Sequence, residues 1–88
     1  MKMIRIECIA ENGLHARPAA MISKCAKGFE SRCYVINEEN QKRADARSVT
    51  AIMTLGVKKG CYVCIECDGR DEEEAARSLA ELMAKIKE

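Results

Sequence analysis

The spacing of apolar positions divides the chain into alternating and helical stretches. From Met3 to Cys8 apolar and polar residues alternate, with Ile4, Ile6 and Cys8 on one face, which predicts a half-buried strand. Glu11-Asn12-Gly13 is a turn-type cluster. From Ala16 the period becomes helical. Ala19, Ile22, Cys25 or Ala26, and Phe29 recur at three- and four-residue steps, while Ser23, Lys24 and Lys27 fall on other faces. Pro18 falls in the first turn, where its missing N–H costs nothing, and Gly28 supplies a stop.

Ser31 to Asn37 predicts a second strand, Glu38-Glu39-Asn40 a polar turn, and Gln41 to Asp45 a short, weak strand that closes a hairpin. Ser48 to Thr54 predicts a short helix, with Ser48 as its N-cap and Gly56 closing it. Lys58-Lys59-Gly60 turns the chain into a last strand, Cys61 to Cys67. Asp71 is placed to cap the final helix, with Glu74 three residues on as a variant capping box and Ala75, Leu79, Leu82, Met83 and Ile86 as the apolar stripe. The order is β-α-β-β-α-β-α. One-faced strands and striped helices in this order predict a two-layer α+β fold, its sheet facing helices on one side and mostly water on the other.

Composition narrows this picture. Eighty-eight residues suffice for one domain, expected to span 1–88. With 48% hydrophobic and 33% charged residues the chain reads as globular, and a formal net charge of +1 gives no global pull toward nucleic acid or a membrane surface. No apolar run is long enough to insert across a membrane, and residues 1–10 contain no signal-peptide apolar region, so a cytoplasmic location is expected.

Six cysteines, at 8, 25, 33, 61, 64 and 67, each sit inside an apolar pattern and are expected as reduced thiols acting as small hydrophobes. Cys61-x-x-Cys64-x-x-Cys67 has a spacing that can serve an iron–sulfur cluster. On a strand, however, Cys61 and Cys67 point to one face and Cys64 to the other, so the three sulfurs do not converge. No metal and no cofactor are expected.

The densest chemistry lies in Gly13-Leu14-His15-Ala16-Arg17-Pro18-Ala19-Ala20, which contains the one histidine and the one proline of the chain. The layout delivers an imidazole to the start of a helix. Unpaired N–H groups and the positive end of the helix dipole favour an anion there, above all a phosphoryl group. His15 is the candidate nucleophile, and Arg17 offers a planar, permanently charged fork for phosphate oxygens. The N–H groups of Ala16 and Arg17 can donate as well; Pro18 cannot. Two readings of His15 fit the spacing alone: a phosphoryl acceptor, or a surface histidine that merely caps the helix.

At these residues the chain resembles the HPr family, the phosphocarriers of the bacterial phosphoenolpyruvate-dependent sugar phosphotransferase system. Gly13 to Ala19 is similar to the family's phosphorylation-site motif, and Ser48-Val49-Thr50-Ala51-Ile52-Met53-Thr54-Leu55-Gly56-Val57 to its regulatory-serine segment. The resemblance covers nearly the whole chain. It implies an open-faced β-sandwich: a four-stranded antiparallel sheet covered on one face by three helices. It also implies that His15 accepts a phosphoryl group from phospho-enzyme I on Nδ1 and passes it to sugar-specific IIA domains, with Arg17 stabilising the group in transit. Such a protein is a relay, without a small-molecule substrate of its own.

Ser48 matches the position that HPr kinase/phosphorylase modifies in many systems. Its phosphate would act on partners by like-charge repulsion. A plain N-cap accounts for the same serine. The implied docking surface has Ala20, Met21 and Val49 as an apolar centre ringed by Arg17, Lys24, Lys27 and Arg47. Thr50 stands where many family members carry a larger apolar residue, so this patch is expected to be smaller. A monomer is the expected state. Three alternatives remain: a regulatory module acting through Ser48 and a catabolite-control regulator, a nitrogen-related phosphotransfer branch, and a redox or metal protein using the cysteines.

Overall fold

In a computed structural model, which describes residues 1–87, the chain runs β1 (Lys2–Glu7), α1 (Ala16–Ala26), β2 (Arg32–Asn37), β3 (Arg43–Asp45), α2 (Val49–Met53), β4 (Tyr62–Asp68) and α3 (Glu72–Lys85). The four strands form one sheet in the order β1-β4-β2-β3, every neighbouring pair antiparallel. This is the open-faced α+β architecture that the element order and the family resemblance predict.

All three helices lie on the face where Val35, Val63, Ile65 and Cys67 are buried, and Ile22, Ile52, Leu55 and Leu79 close over them. Burial of each such side chain contributes about 1.5–3 kcal/mol relative to leaving it exposed. The opposite face is open and largely covers itself. Arg5 lies 3.9 Å above the Tyr62 ring and bonds Glu38 at 2.8 Å. Arg43 lies 4.1 Å above the Tyr34 ring and bonds Glu66 at 2.9 Å, which leaves Glu66 mostly buried on a face that is otherwise wet.

Three local expectations are corrected. Ser23 does not lie on an outer face of α1. It is 2% exposed, and its hydroxyl donates to the Arg47 carbonyl at 2.6 Å. The Gly28 stop is kept: Lys27 is the C-cap and Gly28 sits in the turn directly after it, its N–H on the Cys25 carbonyl at 3.1 Å. β3 begins at Arg43 rather than Gln41, because Gln41 takes φ +61° inside the turn and its N–H closes on the Asn37 carbonyl at 2.7 Å. Asp71 stands at the N-cap position of α3 but makes no side-chain cap. Its carboxylate instead accepts from the Glu30 and Ser31 N–H groups, both at 2.9 Å, and from the Ser31 hydroxyl. The side chain that reaches back over the start of α3 is Glu72, on the Gly69 N–H at 3.1 Å, not Glu74.

Candidate functional site

The loop after β1 is held by its backbone. Gly13 has φ +70°, and a Cβ there would lie 2.2 Å from the Val57 carbonyl oxygen, so only glycine fits. Leu14 is buried, and its N–H donates to that same carbonyl at 3.2 Å. The next residue, His15, is therefore placed by backbone docked on the segment after α2. It occupies the N-cap of α1 with extended backbone (φ −81°, ψ −168°), and its carbonyl accepts from the Ala19 N–H at 2.9 Å. Its side chain is half-exposed and does not cap the helix, which removes capping as the reason for a histidine here.

The first turn itself is basic. The first turn of α1 holds no acidic residue. Arg17 stands in it, exposed, two residues after the imidazole. The N–H groups of Ala16 and Arg17 belong to the opening turn, where the helix has no carbonyl of its own to offer them. Arg17 also borders a groove of about 420 Å³ between α1 and the end of α3, floored by Pro18, Met21, Leu82 and Ile86, with Lys85 and Lys87 at its margin. A half-exposed imidazole thus stands where helix dipole and guanidinium both favour an incoming anion.

The second landmark lies on the same helical layer. Ser48 is the N-cap of α2, and its hydroxyl oxygen accepts from the Ala51 N–H at 3.1 Å. The bond from Ser23 to the Arg47 carbonyl sets the start of α2 beside the middle of α1. Gly56, at φ +72°, follows the helix as expected. Ala20, Met21, Lys24 and Lys27 are all exposed on α1; Thr50 is exposed and Val49 half-buried on α2. Arg47 is exposed, but one arm of its guanidinium donates to the Phe29 carbonyl at 2.8 Å, tying it to the loop after α1.

Met53 was missing from the sequence-based surface. It is 45% exposed, comparable with Met21 at 42%. The signal was its i, i+4 spacing from Val49, which sets both on one side of the short helix. Met53 supplies apolar area close to where Thr50 supplies little.

The cysteines line no such site. All six are free thiols. Cys61 precedes β4, Cys64 is half-buried on the open face, and Cys67 is buried on the core face. Among the described residues no group of three His, Cys, Asp or Glu is arranged to hold a metal ion, and no helix is long and apolar enough to cross a membrane.

Fold and site together define a class: small open-faced sandwiches that present a histidine at the start of a helix. Comparison with known proteins makes the class specific. Residues 3–85 match the family model of the PTS HPr component phosphorylation site. The phosphocarrier protein HPr of Vibrio cholerae is 42% identical over 82 residues, covering 93% of this chain and 94% of that one. A crystal structure described as HPr-C-His from Thermoanaerobacter tengcongensis superposes with a TM-score of 0.90 at 39% identity, covering 99% of this chain and 96% of that one. A crystal structure of an HPr dimer from the same organism is also similar, with a TM-score of 0.76 at 39% identity and coverage of 100% and 99%. The chain belongs to the HPr family, the phosphocarriers of the phosphotransferase system.

Proposed function

We propose that His15 accepts the phosphoryl group from phosphorylated enzyme I and donates it to sugar-specific IIA domains. The observation that carries this reading is the start of α1: a half-exposed imidazole that does not cap its helix, Arg17 in the same turn, and no acidic side chain there. The imidazole nitrogen attacks phosphorus, and the donor's P–N bond breaks as the new one forms. Positive potential at the helix start and on Arg17 compensates the charge on the equatorial oxygens, so the step is mostly positioning plus electrostatics. Ala20, Met21, Val49, Thr50 and Met53 form the apolar part of the docking surface, with Lys24, Lys27 and Arg47 at its rim. The whole of residues 1–88 acts as one phosphocarrier domain, in the cytoplasm and as a monomer. Phosphotransfer from phosphoenolpyruvate with purified enzyme I tests this. Acid-labile phosphate on the parent and none on a folded His15→Ala variant is expected. Equal labelling of both would refute the assignment.

A second role is supported by Ser48. Its hydroxyl is half-buried at the N-cap of a helix with no acid in its first turn, so an added phosphate meets the positive end of α2. Phosphorylation there by an HPr kinase/phosphorylase would place about two negative charges beside the docking surface and favour a catabolite-control regulator over enzyme I. Incubation with such a kinase, followed by a pull-down with the regulator, tests this; binding that ignores Ser48→Ala would defeat it.

A further inference from the structure

Two cysteines form a cross-strand pair that the phosphocarrier reading does not use. Cys33 on β2 and Cys67 on β4 are direct partners in the antiparallel register. Opposed residues in such a ladder have Cα atoms about 4.5–5.5 Å apart, inside the about 4.4–6.8 Å that a disulfide spans. Both side chains point into the core, at 2% and 0% exposure, and the two thiols are hydrogen-bonded to each other. The Cys33 sulfur also reaches the Ser31 carbonyl at 3.8 Å.

The remaining cysteines lack this arrangement. Cys8 and Cys61 share a backbone bond of 2.8 Å, but the Cys61 thiol turns to Glu39 Oε2 at 3.0 Å. Cys64 is on the open face, and Cys25 is half-buried on α1.

We infer that Cys33 and Cys67 are a latent cross-strand disulfide: an oxidation site that closes within the core when the protein meets a low-molecular-weight disulfide. The chemistry balances in two exchanges. The Cys33 thiolate attacks one sulfur of the small disulfide and releases one small thiolate. The Cys67 thiolate then attacks the Cys33 sulfur of the mixed disulfide and releases the second. The protein loses two electrons and two protons, and the small disulfide becomes two thiols. The same balance holds with Cys67 attacking first. Burial pushes both thiols up, so in the closed sheet the pair is silent. Oxidation waits for β2 and β4 to part, and its rate follows that opening.

Incubation of the reduced protein with glutathione disulfide, with and without sub-denaturing urea, tests this through non-reducing tryptic mapping. Residues 33–42 carry Cys33 alone, 25–27 carry Cys25, 6–24 carry Cys8 because the Arg17–Pro18 bond resists trypsin, and 60–70 carry Cys61, Cys64 and Cys67. The expected product is 33–42 linked to 60–70, with fragmentation placing the link at Cys67. Urea should accelerate its formation tenfold or more, and Cys67→Ala should abolish it. A dominant link from 25–27 or 6–24, a link at Cys61 or Cys64, covalent dimers, or no link even after refolding from urea with the oxidant present would each overturn the inference. The parent protein alone decides between these outcomes, so the test stands even if Cys67→Ala does not fold.

Discussion

The two long helices of this chain begin in opposite ways. α3 starts with its own carboxylates in place: Glu72, Glu73 and Glu74 fill its first turn, and Glu72 bonds the Gly69 N–H. α1 starts with none, and carries Arg17 instead. The dipole of α3 is thus met by the chain itself, and that helix start serves the fold. The start of α1 has no carboxylate in its first turn, the feature on which the proposed anion site rests.

The sharpest way to break the contrast is to remove the charge that distinguishes α1. Arg17→Ala should slow phosphoryl transfer by about 10²–10³-fold, the usual loss when one aligned donor to a developing anion is deleted. Stability, measured by urea unfolding, should stay within about 0.5 kcal/mol of the parent, since Arg17 is an exposed side chain.

At the other end the expectation reverses. Asp71→Asn should lower the urea midpoint while leaving phosphate acceptance intact. The Ser31 hydroxyl, followed by the Glu30 N–H, holds the Asp71 carboxyl below its ordinary value of 3.8. A carboxylate depressed in the folded state adds stability above its unfolded pKa and loses it as pH falls through the folded one. The parent should therefore lose stability below about pH 4 more steeply than Asp71→Asn, as acid unfolding followed by circular dichroism would show. Equal acid limbs would remove Asp71 from this role.

Two smaller effects sharpen the comparison. Ser48→Ala deletes the bond to the Ala51 N–H and should cost about 1 kcal/mol, whereas Ser48→Asp, which can still cap, should recover most of it. Ala16→Asp gives α1 an acid of the kind α3 already has. It should stabilise the fold by about 0.3–1 kcal/mol while slowing phosphate acceptance at His15. Stability and transfer moving in opposite directions in one variant would separate what this helix start does for the fold from what it does for transfer.

Most of the architecture was legible because it rests on periodicity. The alternation through Ile4 and Ile6, the helical recurrence of Ala19, Ile22 and Ala26, and the Ser48 cap each state a local preference that the packed fold keeps. The histidine loop was legible because glycine, histidine, arginine and proline each have a narrow use at their positions. What escaped was decided by distant partners. Ser23 looks like a surface residue until the Arg47 carbonyl arrives above it. Asp71 looks like a cap until Ser31, forty residues away in sequence, takes its carboxylate. Asn37 gave no signal at all, yet it is buried and its amide donates to the Leu55 carbonyl at 2.8 Å, helping to fix the end of α2. Met53 escaped for another reason. On a helix of five residues an apolar side chain looks like core, and exposure depends on where the sheet ends.

The seat of Gly13 has a further consequence. With the Val57 carbonyl only 2.2 Å from where a Cβ would stand, two stretches of main chain rest on one another with no side chain between them. Contacts between main chains keep their spacing whatever side chains surround them. Residues along the outer faces of α1 and α2 can be exchanged without touching the backbone contact that places His15. The feature that permits such exchange is a missing carbon atom.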